Sequence, residues 1–145
     1  MQHLNNQINE LSLFIQKNQR FYEEKFSKIE ATGKSISWNW AAFFMGIHWM
    51  IYRKMYFKAA AFFLLSFVAS TTPYIGGILN MAVLVGIAVY ANALYLDHVS
   101  GNVEKAKILF PDNQDFIAKK VGGTNMPLAV GIFLIQGLLA LGTSI

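Results

Sequence analysis

Histidine and carboxylate side chains are the groups in this sequence that could carry acid–base chemistry or hold a metal ion. The three histidines, His3, His48 and His98, have no histidine partner at metal-ligand spacing, and the chain has no cysteine. All eight carboxylates lie outside the hydrophobic segments, so no pair is placed for buried proton transfer. The sequence therefore predicts no catalytic site, no metal and no cofactor, and the protein is not expected to be an enzyme.

Two further kinds of binding site are excluded. The triplet Gly33-Lys34-Ser35 resembles the end of a phosphate-binding loop, but Lys28 stands where that loop requires a glycine. The formal net charge is +4, and no basic cluster has the density of a nucleic-acid groove. Neither a nucleotide nor a nucleic acid is expected as a partner.

The composition is that of a membrane protein. Hydrophobic residues make up 54% of the chain and charged residues 14%, whereas roughly a quarter of a soluble domain is charged. No Asp, Glu, Lys or Arg occurs from Ala59 to Leu96 or from Val121 to Ile145. Because about 20 apolar residues suffice to cross a hydrocarbon layer about 30 Å thick, these runs predict an integral membrane protein.

The expected fold is all-α, a small helical integral membrane protein. Residues 1–34 are expected to form a cytoplasmic amphipathic helix, and residues 35–145 a membrane domain. That domain comprises a re-entrant or short spanning helix followed by three transmembrane helices, with approximate bounds 36–52, 55–74, 75–96 and 126–145. A cytoplasmic amphipathic connection, residues 97–123, joins the last two.

The N-terminal region shows helical periodicity from residue 3 to about residue 31, which predicts one helix there. Its apolar stripe consists of Leu4, Ile8, Leu11, Ile15, Tyr22, Phe26 and Ile29. The stripe fits a helix docked on its own protein or lying on lipid, and it also fits a coiled-coil arm to a partner.

Capping residues mark several expected helix ends. Gly33 can end the first helix because glycine adopts the left-handed conformation without a steric penalty. Asp112 and Asp115 resemble a capping pair. Thr124 or Asn125 is expected to cap the last helix.

The distribution of basic residues predicts the orientation, since lysine and arginine in short loops remain cytoplasmic. They lie before residue 36, after residue 52 and between the last two segments, whereas the connection 71–77 is uncharged. The N-terminus is therefore expected in the cytoplasm. A full crossing by residues 36–52 would place five N-terminal basic residues outside, so a re-entrant or interfacial helix is favoured over a full span.

The stretch around residues 36–52 concentrates the residues expected at the membrane–water interface. Tryptophan rings prefer that boundary, an asparagine can satisfy exposed backbone at a re-entrant start, and each basic residue gains about 1 kcal/mol near anionic headgroups. The predicted interface or lipid-binding residues are Lys34, Trp38, Asn39, Trp40, Trp49, Tyr52, Arg53, Lys54 and Lys58. For His48, a satisfied interfacial histidine is favoured over a proton-sensing or ligand-binding role.

Amide side chains and small residues in the apolar segments indicate contacts between helices. Amides in lipid usually form hydrogen bonds across helices, and glycine allows close approach of backbones. The residues expected at interhelical or partner contacts are Asn80, Gly86, Asn92 and Gln136. Internal packing is favoured over an interface with another membrane protein or a second copy.

Two sequence blocks resemble a known bacterial membrane family, domain of unknown function 2628. They are the block from Trp38 to Gly46, W-N-W-A-A-F-F-x-G, with W-x-x-Y-R-K-M-Y beginning at Trp49, and the later stretch Ala91-Asn92-Ala93-Leu94-Tyr95. The resemblance covers residues 21 to about 107, and it departs from the family pattern at His48. It implies a small protein of the bacterial inner membrane, and it implies no reaction.

The predicted function is binding rather than catalysis. The lipid bilayer and another integral membrane protein, or a second copy of the chain, are the expected partners of an accessory or regulatory subunit in the cytoplasmic membrane. An immunity-type inhibitor of a membrane-acting toxin and an anionic-lipid-interacting protein are the alternatives. A small channel or transporter is disfavoured because the apolar segments carry no charge.

Overall fold

The computed structural model describes residues 2–142, with side chains for residues 8–142, and every regular element in that part is helical. The all-α class is therefore confirmed. The side chains of His3 and Leu4, and residues 143–145 of the expected last segment, lie outside the described part. The elements are α1 (Gln2–Ile15), α2 (Gln19–Thr32), α3 (Trp40–Met45), α4 (Ile47–Tyr52), α5 (Tyr56–Ser70), α6 (Gly76–Leu109), a 3-10 turn (Pro111–Asn113), α7 (Gln114–Val121) and α8 (Met126–Gly142).

Helix α6 is the axis on which most other helices pack. Its 34 residues extend about 51 Å at 1.5 Å per residue, and α1, α2, α3, α5 and α7 all contact it. The structure differs here from the expected separate piece after Leu96, because residues 97–109 continue α6. Val99, Val103 and Ala106 recur at steps of four and three, and burying this face favours continued helix.

The N-terminal region forms two helices instead of the single helix expected over residues 3–31. Gln16 and Asn18 between them have positive φ angles of 58° and 62°. Asparagine tolerates this conformation, and Gln16 donates a hydrogen bond from Nε2 to the carbonyl of Ala118 at 2.8 Å. The turn lets both helices place their apolar stripe in the core, where Leu11, Ile15, Tyr22 and Phe26 of the stripe are buried together with Phe14, which was not assigned to it.

Two expected helix ends are confirmed. Gly33 ends α2 with φ 64°, and its N–H donates to the carbonyl of Ile29 at 2.8 Å. Asn125 caps α8, because its Oδ1 accepts a hydrogen bond from the backbone N–H of Leu128 at 3.2 Å.

The capping pair expected at Asp112 and Asp115 is wrong. Pro111 begins a 3-10 turn that contains Asp112, so this aspartate lies within the turn. The residue before α7 is Asn113, whose side chain makes no capping hydrogen bond.

Two helical segments, Gly76–Leu109 and Pro111–Gly142, are long and apolar enough to cross a membrane by length and composition. In the second segment, α8 is the uncharged helix. Helix α5 is apolar, but its 15 residues extend only about 22 Å. The described residues thus contain two candidate spans by this criterion, where three were expected.

Candidate functional site: the aromatic segment and its cleft

The aromatic segment, residues 33–58, runs along α6 and then returns. Three contacts with α6 show this path. Ser37 donates to the carbonyl of Val89, Gly46 lies beside Leu84, and Arg53 donates to the hydroxyl of Tyr95. Both ends of the segment therefore lie toward the middle of α6, and its bend lies toward the N-terminal end of that helix.

A buried amide network attaches the start of the segment to α6. Asn39 donates from Nδ2 to Asn92 Oδ1 at 2.9 Å, and Asn92 donates from Nδ2 to the carbonyl and the hydroxyl oxygen of Ser37 at 3.2 and 3.1 Å. Asn39 Oδ1 also accepts from the N–H of Ala42 at 3.0 Å, which caps α3. Burying these amides would be costly without such partners, so the network fixes residues 37–39, in the non-helical stretch before α3, against α6.

The bend occurs at Gly46, between α3 and α4. Its φ of 51° and ψ of −125° form a backbone conformation that only glycine adopts readily, and an added Cβ would lie 3.3 Å from Leu84 Cδ1. Helices α3 and α4 have six residues each, about 9 Å. Neither is long enough to cross a hydrocarbon layer about 30 Å thick.

Arg53 lies inside the protein, within a cage of tyrosine rings. The side chain is 2% exposed, and the guanidinium carbon lies 4.5, 5.0 and 5.4 Å from the ring centres of Tyr22, Tyr95 and Tyr52. Nη1 donates to the carbonyl of Lys17 at 3.2 Å and to the Tyr95 hydroxyl at 3.4 Å. One guanidinium therefore connects α2, α4 and α6.

The charge of Arg53 is balanced by ring faces and by two neutral hydrogen-bond acceptors. Among the described side chains no carboxylate forms an ion pair with it, and its buried Nε has no hydrogen-bond partner. Cation–π contacts are strongest where water is excluded, as here. This guanidinium faces the protein interior, whereas a headgroup contact would require it at the surface.

The remaining basic residues of the segment differ in their surroundings. Lys34 is exposed. Lys54 donates from Nζ to the carbonyl of Lys120 at 3.0 Å, and partial burial lowers the pKa of its ammonium group. Lys58 forms an ion pair with Asp97 at 2.6 Å, which compensates its charge.

The aromatic residues divide into an outer and an inner group. Trp38 and Trp40 are exposed with ring centres 5.2 Å apart, and Trp40 stacks on the exposed Phe44. Trp49 is buried at 3% exposure, and Tyr52 is half-buried. The outer group is the part of the segment that can meet a membrane interface.

Of the residues expected at helix contacts, Asn80 and Gly86 behave differently. Asn80 donates from Nδ2 to the Ser70 hydroxyl at 3.0 Å and thereby joins α5 to α6. A Cβ added to Gly86 would meet no atom within 4 Å among the described residues, so no helix packs closely on that glycine.

Gln136 meets His48 across the gap between α8 and α4. Gln136 Oε1 lies 2.8 Å from His48 Nε2, and His48 Nδ1 lies 3.3 Å from the carbonyl of Met45. Beside this pair lies the α5–α8 cleft, a cavity of about 580 Å³. It is lined by Phe44, Met45, Gly46, Ile47, His48, Ile51, Tyr56, Ala59, Ala60, Phe63, Leu84, Leu128, Ile132 and Gln136.

The arrangement is suited to binding apolar material. The cleft walls are hydrophobic apart from His48, Gln136 and the Tyr56 hydroxyl, which lies 2.8 Å from Asn125 Nδ2. Within the described residues no group of three or more His, Cys, Asp or Glu side chains comes together at metal-binding range. The polar groups that line the cleft are already hydrogen-bonded within the protein. The rest of the cleft surface is apolar and could contact an apolar ligand.

Sequence reasoning did not identify three of the residues that complete these sites. Tyr22 and Tyr95 surround Arg53, and Ser37 accepts from Asn92. Tyr22 was recognised as part of an apolar stripe and Tyr95 as part of a sequence block. Spacing along the chain carries no signal that would have paired them with an arginine on another helix.

A family model described as "Protein of unknown function (DUF2628)" matches residues 12–101, more than half of the chain. The matched range begins in α1 and ends within α6, so it contains the amide network and the arginine cage, and it excludes α7 and α8. The resemblance to this family expected from the two sequence blocks is confirmed. No curated protein and no solved structure matches the chain.

Proposed function

This chain belongs to the DUF2628 family, and we propose that it is a non-enzymatic protein of the bacterial cytoplasmic membrane that acts by binding a larger membrane complex. It would serve there as an accessory or regulatory subunit. The observation that carries the proposal is α8: a 17-residue helix without a charged residue that packs mainly on the short α4. Its exposed side chains include Leu134, Ile135, Leu138, Leu139 and Leu141.

The proposed membrane arrangement follows from where charge and exposed apolar surface lie. Helices α5 and α8 and the first half of α6 cross the bilayer, because their outward faces carry large apolar side chains, and their one charged residue, Lys58, lies at the start of α5 and is paired with Asp97. The aromatic segment re-enters the bilayer, which its return along α6 and its bend at Gly46 favour. The N-terminal helices and the charged residues 97–123 lie in the cytoplasm, consistent with the ion pair between Lys107 and Glu10 at 2.5 Å.

The partner surface is assigned to α8 for two reasons. The apolar stripe of α1 and α2 is already buried against α6, so these helices have little apolar surface to offer a partner. The outer face of α8 extends over several turns, and in lipid a partner helix can replace acyl chains there by close packing.

Purification from native membranes tests this proposal. A tagged chain is extracted into nanodiscs and examined by intact mass spectrometry together with the double variant Leu134→Ala/Leu138→Ala. A companion membrane protein at fixed stoichiometry is expected with the natural sequence and is expected to be lost from the variant. The matched control is Phe57→Ala/Leu64→Ala on the exposed face of α5, which retains the companion.

The results also separate the alternatives. A lone chain or a homo-oligomer from native membranes would contradict the accessory-subunit proposal. A companion that permeabilises membranes by itself would identify the immunity-type alternative.

A second candidate function, binding of anionic lipid headgroups, is favoured by the exposed outer group of the aromatic segment. Lys34 lies four residues before Trp38, and both Trp38 and Trp40 are exposed. Tryptophan rings prefer the membrane–water boundary, and a lysine near it is attracted to anionic headgroups. Lys34→Gln is expected to weaken the preference for anionic over zwitterionic nanodiscs about fivefold, measured by the anionic lipid retained per chain. An unchanged preference would count against this function.

A further inference from the structure

The α5–α8 cleft has the dimensions, lining and nearby charge of a site for one lipid molecule. We propose that it holds an acyl chain of an anionic membrane lipid, whose headgroup lies beside the lysines near the start of α8. This inference rests on the membrane location proposed above, and it adds a specific ligand site to it.

The cleft lies between two helices that begin side by side, and several residues between positions 44 and 51, from α3 and α4, also line it. Tyr56, at the start of α5, is hydrogen-bonded to Asn125, at the start of α8. From this link α8 lines the cleft with Leu128, Ile132 and Gln136, which recur every four residues and span about 12 Å. Helix α5 lines the opposite wall through Tyr56, Ala59, Ala60 and Phe63.

The volume favours a hydrocarbon chain over a partner helix. The cavity of about 580 Å³ lies within the range of roughly 300–1,000 Å³ that small-molecule sites occupy. A helix about 10 Å wide would fill it with roughly one and a half turns, which is too little for a stable helix contact. Apolar cavities do not hold water well, and in a bilayer the neighbouring acyl chains are the available occupants.

The ends of the cleft differ in charge, and this difference orients the proposed lipid. At the inner end His48 Nε2 lies 2.8 Å from Gln136 Oε1. No Asp, Glu, Lys or Arg side chain lines the cleft there. At the Tyr56 end Lys54 donates from Nζ to the Lys120 carbonyl at 3.0 Å, which brings the chain at Lys120 next to this end, and the Lys120 side chain is exposed. Among the described side chains neither of these two lysines forms an ion pair, so they can receive an anionic headgroup.

Filling the cleft tests the acyl-chain site. Ala60 lines the cleft, whereas the neighbouring Ala61 is exposed and does not line it. In nanodiscs containing phosphatidylcholine and phosphatidylglycerol, native mass spectrometry is expected to show one retained phosphatidylglycerol on the natural chain. Ala60→Phe is expected to lower this occupancy about tenfold or more, and the matched control Ala61→Phe is expected to leave it unchanged.

Neutralising the rim tests the headgroup position. Lys54→Gln and Lys120→Gln are each expected to lower phosphatidylglycerol retention about fivefold, the factor that corresponds to about 1 kcal/mol. Lys25→Gln on α2 is the charge-matched control and is expected to have no effect. Equal losses for all three variants would overturn the headgroup assignment.

A second measurement uses the unmodified chain, so it does not depend on how a variant folds. Phosphatidylglycerol with a photoreactive acyl chain is expected to crosslink within residues 56–63 and 128–136. Crosslinks confined to the outer face of α6, around Met81 and Val85, would overturn the site, as would a polypeptide found in the cleft.

Carbonate extraction of membranes separates the two proposals. Release of the chain into the soluble fraction would remove the membrane location and the lipid site together. A chain that remains in the membrane without a retained lipid would overturn the lipid site and leave the proposed function in place.

Discussion

Two regions of the molecule are held together in different ways. In the family core, residues 12–101, buried polar groups connect distant parts of the chain, as in the Asn39–Asn92 and Arg53–Tyr95 contacts. In the α8 region, residues 124–142, packing is mainly with α4, and a cleft of about 580 Å³ lies beside it. The family core is thus joined by buried polar contacts, whereas α8 rests mainly on its packing with α4, and the binding surfaces proposed above lie on and beside α8.

The largest expected effect is at Arg53. Arg53→Ala is expected to lower the free energy of unfolding by an amount on the order of 3 kcal/mol, because it removes three desolvated ring contacts and leaves a cavity. The measurement is an unfolding titration with a denaturing detergent in mixed micelles. Lys54→Ala is the control, with an expected loss below about 1 kcal/mol. Equal losses would show that the cage does not stabilise the family core.

Gly122 follows α7 and packs against Phe14 of the family core. Gly122→Ala is expected to lower the free energy of unfolding by about 2 kcal/mol. An added Cβ would collide with the Phe14 carbonyl oxygen and lie 2.9 Å from Phe14 Cα, and this backbone cannot move easily. Gly86→Ala is the matched control, because no described atom lies within 4 Å of its added Cβ. That control is expected to be neutral or to stabilise by up to about 1 kcal/mol.

Thermal unfolding of both glycine variants in the same detergent provides the comparison. A destabilised Gly86→Ala variant that also changes oligomeric state would instead support a partner contact at Gly86.

The amide network is expected to show coupling of an intermediate size. Asn92→Ala should cost about 1.5 kcal/mol, since it leaves Asn39 Nδ2 without its partner in a buried site. In a double-mutant cycle with Asn39→Ala, the coupling energy is expected to be about 1 kcal/mol. Strictly additive losses would contradict a direct contact between the two amides.

The smallest expected effect is in the α8 region. Gln136→Leu removes the contact with His48 and is expected to cost about 0.5 kcal/mol, a typical value for a hydrogen bond between membrane helices. Amide hydrogen exchange should become faster in α8 and stay unchanged in α6, while the control Ile135→Leu leaves both unchanged. Faster exchange throughout the family core would show that the two regions unfold as one unit.

Several features of the fold could be predicted because they depend on local physics. Gly33 ends α2 and Asn125 caps α8, since left-handed backbone and capping hydrogen bonds depend on a few neighbouring residues. The break at Gln16 and Asn18 was not predicted. The conformation there is stabilised by a hydrogen bond to Ala118, about a hundred residues further along the chain.

Most residues of the candidate site were singled out from the sequence, but the contacts between them were not predicted. Asn39 was expected to satisfy exposed backbone at the membrane interface and Asn92 to contact another helix or a partner, but their pairing across 53 positions in sequence was not foreseen. Arg53 was assigned to the surface from its place beside Lys54 and Tyr52. Its burial depends on Tyr22 and Tyr95, which reach it from two other helices.

The sequence by itself determined the helical class, the family, the position of the aromatic segment and the uncharged runs, because residue type and spacing report local conformation and hydropathy. Only the tertiary structure decided that tyrosine rings surround Arg53, that Asn39 of the aromatic segment meets Asn92 of α6, and that a cleft lies beside α8. Those outcomes depend on which distant side chains fit together when the helices pack. That choice is made by the free energy of the whole assembly of helices, which no short stretch of the chain contains.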